Sequence, residues 1–194
     1  MTAARPAEGK TTVTLSLARS AALSGERVVI IDCDIRRPTL ARLLEAPPGP
    51  GLAECLRGTA TLAEVIRRDP LTDLAYIPAG SAEADTLALF MSERMGHVLQ
   101  SLRQDYELVL MDAPPAHAMA DTRAIAQIAD ATLFCVRWRM TPRAVVASAL
   151  ELLEAADARV GGIVLTRVDA RAHRRSGFAD AEACHPRYGR YHRG

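Results

Sequence analysis

Short apolar runs alternate with amphipathic segments along most of the chain. Runs of consecutive apolar residues, typical of strands buried on both faces, lie at residues 28–32, 74–78, 108–112, 132–136 and 162–165. Segments with helical periodicity lie at residues 11–24, 40–44, 62–67, 92–104, 123–128 and 142–156. This alternation predicts an α/β fold, with a mostly parallel sheet and helices on both faces.

The composition of the chain predicts a single domain. The 194 residues are 49% hydrophobic, which is enough for one sizeable core. The formal charge is only +1, so no global field favours nucleic acid. The four cysteines lack C-x-x-C spacing and are expected to be reduced, and neither a membrane-spanning run nor a signal peptide is found. We therefore expect a cytoplasmic protein without a nucleic-acid partner.

The start of the first predicted helix carries a candidate phosphate site. Gly9-Lys10-Thr11-Thr12 matches the second half of the phosphate-binding loop G-x-x-x-x-G-K-[ST]. A triphosphate needs several N–H donors and one cation, which the first turn of a helix and Lys10 would supply, while the Thr11 hydroxyl would hold Mg²⁺. Ala4 replaces the first glycine of the pattern, and Gly-Lys-Thr alone fits a plain helix start equally well.

Carboxylates follow two of the predicted buried strands. Asp32 and Asp34 come at the end of the run at 28–32, and Asp112 ends the run at 108–112. Ligands of an open α/β sheet bind outside the carboxyl ends of its strands, so we expect the three acids to converge on the loop. There, carboxylates bind Mg²⁺ or accept a proton from an attacking hydroxyl. One such aspartate is equally well a turn former, but three acids beside Gly-Lys-Thr favour a nucleotide site.

The residues around these acids resemble one family. The segment Asp32-Cys33-Asp34-Ile35-Arg36-Arg37-Pro38 is similar to the second acidic motif, D-x-D-x-R-R-P, of bacterial tyrosine kinases, the kinase domains of capsule and exopolysaccharide export systems. Asp112-Ala113-Pro114-Pro115 resembles their Walker B motif, and residues 77–80 and 92–95 resemble two further landmarks. The resemblance runs from about residue 3 to about residue 170 and implies a P-loop NTPase fold of the MinD/ParA-like superfamily.

The resemblance implies ATP-dependent phosphorylation of protein tyrosine, with ATP and Mg²⁺ bound. The implied nucleotide-binding residues are Glu8, Gly9, Lys10, Thr11, Thr12, Thr166, Arg167 and Asp169. The implied catalytic residues are Lys10, Asp32, Asp34 and Asp112, and the implied Mg²⁺ ligands are Thr11, Asp32 and Asp112. Arg36 and Arg37 steady phosphate or the acidic loop, or else they are exposed residues in surface ion pairs.

Three departures from the family pattern bear on these expectations. The family loop reads Pro-Gly-Glu-Gly-Lys, but Ala7 stands at the first of those glycines; if that position needs a positive φ, alanine costs on the order of 1 kcal/mol or more. Thr166 stands where similar proteins place an asparagine against adenine, and a hydroxyl lacks the amide's paired donor and acceptor. Few residues precede Arg5, so the first central strand is expected to be truncated, with open strand edges beside it.

The chain is predicted to contain a nucleotide-binding kinase domain over residues 1–170 and a disordered tail over residues 171–194. The tail is rich in Arg and His, with Gly and Pro. Similar kinases end in a tyrosine cluster, which makes Tyr188 and Tyr191 candidate phosphorylation sites. Two tyrosines in a polar tail also arise easily by chance.

Two alternatives to a kinase stay open. A non-kinase ATPase of the MinD/ParA type carries a signature lysine five residues before the loop lysine, where this chain has Arg5. A catalytically impaired nucleotide-binding module would only regulate a polymer-export partner. By resemblance, the partners are a membrane-spanning chain-length regulator of polysaccharide export and further copies of the chain in a homo-oligomer. Such a partner would hold the domain at the inner face of the plasma membrane.

Overall fold

The computed structural model describes residues 1–81 and 85–175, which form the expected α/β fold. Its strands are β1 (Thr2–Ala3), β2 (Val28–Asp32), β3 (Arg67–Arg68), β4 (Ala75–Ile77), β5 (Leu108–Asp112), β6 (Thr132–Arg137) and β7 (Val160–Thr166). Its helices are α1 (Lys10–Leu23), α2 (Leu40–Leu43), α3 (Leu52–Arg57), α4 (Leu62–Val65), α5 (Thr86–Phe90), α6 (Glu93–Asp105), α7 (Ala120–Gln127), α8 (Arg143–Glu154) and α9 (Ala170–Arg174).

The strands pair in two groups, in the orders β3-β4-β2-β5 and β1-β6-β7. All pairs are parallel except β3 with β4, which confirms the mostly parallel sheet expected from the apolar runs. β2 lies between β4 and β5, in a register that places Asp32 beside Asp112. The two strand ends that carry acids are therefore adjacent.

Side chains alternate between two cores on the faces of β2. Val29 and Ile31 pack with α3 and α6 on one face, whereas Val28 and Ile30 pack with α1 on the other. All four side chains are at most 1% exposed. Burying a side chain of this size contributes about 1.5–3 kcal/mol relative to exposure, so these faces hold the acid-bearing strand rigidly in place.

β1 is short, as expected, and forms the edge of the group β1-β6-β7 that faces the end of β5. Thr2 and Ala3 pair with Phe134 and Cys135 of β6. On the other side, the Met1 ammonium donates to the Met111 carbonyl oxygen at 2.8 Å, and the Ala113 N–H donates to the Met1 carbonyl oxygen. Burial lowers the pKa of this ammonium. A mainly apolar cavity of about 430 Å³ separates the rest of β5 from β6, where the open edges were expected.

The two family landmarks outside the acidic motifs have structural roles. Carbonyl oxygens of Pro78 and Ala79 accept the N–H groups of Leu52 and Ala53, which fixes the start of α3 on the end of β4. Ser92 caps α6 by accepting the Met95 N–H at 3.4 Å. These segments shape the scaffold behind the site.

Three short helices were not predicted. α3 and α5 have six and five residues, and no helical period was recognised in their sequences. α9 lies at the start of the predicted tail, where the Asp169 side chain accepts the Arg171 and Ala172 N–H groups and initiates a helix. The division into a domain and a disordered tail stays a prediction. Residues 176–194 lie outside the described part.

Cys33, Cys55 and Cys135 are buried free thiols, as expected, and Cys184 lies outside the described residues. Among residues 1–81 and 85–175, none of the helices combines the length and apolar character that crossing a membrane requires.

Candidate functional site

The loop before α1 has the shape of a phosphate-binding loop. Gly9 has φ 87° at the N-cap of α1, and a Cβ there would lie 3.4 Å from the Thr166 side chain. Ala7 has φ 61°, which is the left-handed conformation that the glycine at this position of the family loop adopts without strain. The strain expected for Ala7 is therefore present in this loop.

Hydrogen bonds that involve Glu8, Thr141 and Thr166 hold the loop in this conformation. The Thr166 hydroxyl donates to the Glu8 carbonyl oxygen at 2.6 Å, and the Glu8 carboxylate accepts the Arg5 N–H at 3.0 Å and the Thr141 hydroxyl. Glu8 and Thr166 are only 3% and 6% exposed. Both residues therefore form hydrogen bonds with the loop itself. Their predicted contact with nucleotide stays a prediction.

Lys10 lies at the centre of the site and is the only lysine in the chain. Its Nζ lies 3.0 Å from Asp34 Oδ2 and 3.9 Å from Asp112 Oδ1. Burial acts to lower the pKa of Lys10, but the Asp112 and Asp34 carboxylates more than offset it, and the pKa lies above its ordinary value. The ammonium is therefore charged at neutral pH and held among carboxylates.

Asp32 differs from the other two acids because both of its oxygens are used by the backbone. They accept the N–H groups of Asp34 and Leu40, each at 3.1 Å, and the residue is fully buried. Burial, followed by the neighbouring Asp112 carboxylate, raises the pKa of Asp32 to about 7. Asp32 shapes the turn that presents Asp34, and its predicted roles in catalysis and Mg²⁺ binding are not visible in these contacts.

Asp112 is the residue best suited to hold Mg²⁺. It is 1% exposed, and neither of its carboxylate oxygens has a hydrogen-bond partner within the described residues. Burial raises its pKa, and the charge of the nearby Lys10 ammonium opposes the shift. Buried oxygens without donors fit a cation or its water ligands. In the described ranges no cluster of three His, Cys, Asp or Glu forms a metal site by itself, so phosphate oxygens would have to complete the coordination.

A cavity of about 680 Å³ opens above these residues. Among the predicted site residues, those that line it are Gly9, Lys10, Thr11, Thr12, Asp34 and Arg167. Glu8, Asp32, Asp112 and Thr166 lie in its supporting layer, and Asp169 is engaged as the cap of α9. Backbone hydrogen bonds from Ala172 and Arg171 lower the pKa of Asp169. Tyr188 and Tyr191 lie outside the described residues.

Sequence reasoning missed a second layer around Arg36. Thr86 donates to Asp121 Oδ2 at 2.6 Å, and Arg36 lies 3.3 Å from the Thr86 hydroxyl and 4.0 Å from the Asp121 carboxylate. Asp121 is 4% exposed and begins α7 beyond the Walker B segment. Its only sequence signal is an acid in the first turn of a predicted helix, which by itself indicates capping rather than a site.

Comparisons with known proteins agree with this geometry. The model of the AAA domain family matches residues 6–154. The chain is 33% identical over 193 residues to the succinoglycan biosynthesis transport protein ExoP of Rhizobium meliloti, covering 97% of this chain and 25% of that protein. It therefore spans about a quarter of the length of the curated relatives it matches.

Solved structures give the same result. The kinase domain of the Escherichia coli tyrosine kinase ETK superposes with a TM-score of 0.81 at 30% identity, over 87% of this chain and 68% of that one. MinD in the MinC–MinD cell division complex of Aquifex aeolicus superposes with a TM-score of 0.76 at 19% identity, over 94% and 73% of the two chains, and shows a shared fold. The chain belongs to the bacterial tyrosine-kinase family, within the P-loop NTPases whose fold MinD shares.

Proposed function

We propose that residues 1–170 form an ATP- and Mg²⁺-dependent protein-tyrosine kinase domain that acts in polysaccharide export. The observation that carries the proposal is the contact of Lys10 with Asp34 and Asp112 at the start of α1. It brings together a phosphate-binding cation, a carboxylate exposed to the cavity and a buried carboxylate without hydrogen-bond donors. Phosphoryl transfer needs these three parts.

Each step of the proposed reaction is assigned to particular residues of the site. The loop N–H groups and Lys10 bind the β- and γ-phosphates. The acceptor phenolic oxygen attacks the γ-phosphorus, the bond to the β–γ bridging oxygen breaks, and ADP leaves with that electron pair. Asp34, the carboxylate that lines the cavity, accepts the phenolic proton. Asp32 holds Asp34 in place through the backbone of the acidic turn.

Mg²⁺ would be held by Asp112 and Thr11 together with phosphate oxygens, and it would neutralise charge that develops on the leaving phosphate. Thr166, Arg167 and Asp169 form the proposed base-side wall, in which Arg167 is the member that lines the cavity. Tyr188 and Tyr191 are the proposed phosphorylation sites within the chain.

The setting of the kinase follows from its relatives. ExoP is named a succinoglycan biosynthesis transport protein, and others are named tyrosine-protein kinases. We propose that this domain acts with a membrane-spanning chain-length regulator of polysaccharide export, as a homo-oligomer at the inner face of the plasma membrane.

The test of this proposal compares the wild-type protein with a variant that lacks the Lys10 ammonium. Purified protein is incubated with Mg-ATP and a tyrosine peptide, and phosphotyrosine is mapped by mass spectrometry beside Lys10→Met. Phosphotyrosine that depends on Lys10 is expected. Bound ATP without phosphotyrosine would favour the impaired regulatory module, and ATP-dependent dimerisation with ATP hydrolysis alone would favour a MinD-type ATPase.

A further inference from the structure

The cavity wall that follows Asp34 is strongly cationic. Arg36 and Arg37 follow the acidic turn, Arg42 lies on α2, and all three line the cavity together with Lys10 and Arg167. The three residues on this wall are exposed. Among the described residues, Asp34 is the only carboxylate that lines the cavity, and it is already bound to Lys10.

In the part of the chain that the structure describes, three of these five cations lack a carboxylate partner. Within the described ranges, no carboxylate lies at ion-pair distance from Arg37, Arg42 or Arg167. Arg36 is compensated in part by Asp121 at 4.0 Å. Asp32 and Asp112 lie beneath the cavity lining and face Lys10 and the backbone, so they do not neutralise the outer arginines.

The position of these arginines indicates the acceptor side of the site. Lys10 and the N–H groups of the loop already provide for the triphosphate. Arg36 and Arg37 instead lie on the segment that presents Asp34, and Arg42 lies on the helix that follows this segment. The acceptor hydroxyl has to approach this segment if Asp34 accepts its proton. Exposed and unpaired arginines at such a place attract carboxylates and fix the orientation of the segment that carries them.

We infer that the preferred acceptor is a tyrosine within an acidic peptide segment, whose Asp or Glu side chains bind Arg37 and Arg42. This inference rests on the proposed kinase function and names its substrate class.

The tail of the chain has the opposite charge. Residues 171–194 contain six arginines against Asp180 and Glu182, a formal charge of +4, and Tyr188 and Tyr191 are flanked by Arg187, Arg190 and Arg193. The cationic wall repels such a segment at low ionic strength. On this inference Tyr188 and Tyr191 remain the proposed acceptors within the chain, but a tyrosine in an acidic segment is phosphorylated faster.

The experiment compares two peptides, Glu-Glu-Tyr-Glu-Glu and a peptide with the sequence of residues 186–194. At low salt the acidic peptide should have a kcat/KM about tenfold or more above that of the tail peptide. Raising the salt should lower the rate for the acidic peptide and raise it for the tail peptide. Equal rates, or the same salt dependence for both peptides, would overturn the inference.

A charge-reversal variant tests whether Arg42 binds the acidic peptide. Arg42→Glu should lower kcat/KM for the acidic peptide about tenfold while KM for ATP changes less than twofold. Arg159→Glu is the matched control, because Arg159 is exposed and precedes β7, at the strand end opposite the site. An equal loss in both variants, or a larger change in KM for ATP than for the peptide, would assign the arginines to another role.

A binding measurement separates this inference from the proposed function. The acidic peptide with Phe in place of Tyr cannot be phosphorylated, and its binding is followed by fluorescence anisotropy. Binding that weakens with Arg42→Glu but not with Arg159→Glu supports the acidic site even if no phosphotyrosine forms. Failure of this peptide to bind, in a protein that phosphorylates other tyrosine peptides, would refute the acidic site and leave the kinase intact.

Discussion

Lys10 Nζ lies 3.0 Å from Asp34 Oδ2, so the phosphate-binding cation is paired with the carboxylate proposed to accept the tyrosine proton. Entry of the γ-phosphate has to compete with this ion pair for the same ammonium. In the proposed reaction, nucleotide binding would thereby release Asp34 toward the acceptor. The proposed base would become available once the phosphoryl donor is in place.

Asp34→Asn should therefore separate binding from catalysis. Removing the competing charge frees Lys10, and we expect nucleotide affinity to rise a few-fold while phosphotyrosine formation falls by about 10²-fold or more. Calorimetric titration with a non-hydrolysable ATP analogue and a peptide-phosphorylation assay measure the two effects. Weaker binding of the analogue by the variant would contradict the proposed competition.

Ala7→Gly should stabilise the protein. Ala7 has φ 61°, and relief of this strain outweighs the added freedom of the unfolded chain, for a net gain of about 0.5–1 kcal/mol. Urea unfolding measures the difference. Ala7→Val serves as the control, because a β-branched residue at this φ should destabilise the protein; a loss of stability in the glycine variant would show that the loop needs the methyl group.

Asp112→Asn should remove the response of the protein to Mg²⁺. Asp112 is the buried carboxylate proposed to hold the ion, and a neutral amide of the same size is a much weaker ligand. Thermal shifts with ADP, with and without Mg²⁺, measure this loss. A variant whose thermal shift still depends on Mg²⁺ would contradict the role proposed for Asp112.

The ion pair of Asp69 with Arg19 should make stability depend on pH. Arg19 donates to both oxygens of Asp69, at 2.9 and 2.8 Å. Burial acts to raise the pKa of Asp69, but the hydrogen bonds from Arg19 and Thr72 outweigh it, so its pKa lies below the ordinary value. The stabilisation is therefore present above the pKa of the unfolded state, near ~3.9, and is lost as pH falls through the lower folded-state value.

Asp69→Asn tests this dependence. Because Arg19 is partly exposed, we expect the substitution to reduce the free energy of unfolding by about 1–2 kcal/mol at pH 7. The difference from the wild type should shrink as the solution is acidified below about pH 4. A difference that stays constant between pH 7 and pH 3 would assign the effect to packing rather than to charge.

The central strand β2 was predictable because burial on both faces requires an apolar run such as the one at Val28–Asp32. The acids at the ends of β2 and β5 followed from the parallel arrangement, and the strained Ala7 followed from the loop pattern. These features depend on local sequence and on the direction of neighbouring strands.

What the sequence did not predict depends on contacts between distant residues. The spacing of Asp32 and Asp34 cannot show that both Asp32 oxygens are used by the backbone, because one donor comes from Leu40 after a turn. In the same way, Thr86 and Asp121 are 35 residues apart, and only the packing of α5 against α7 brings them to Arg36. Side-chain roles of this kind require the tertiary structure.

Because Lys10 is the only lysine, a lysine-specific protease has a single cleavage site, the bond to Thr11, which would yield fragments of 10 and 184 residues. That bond lies in the first turn of α1, where Lys10 and Thr11 are both buried. Cleavage therefore requires local unfolding of the loop. The rate at which one fragment pair appears measures how often the nucleotide site opens, and ligands that close it slow the cut in proportion to their occupancy.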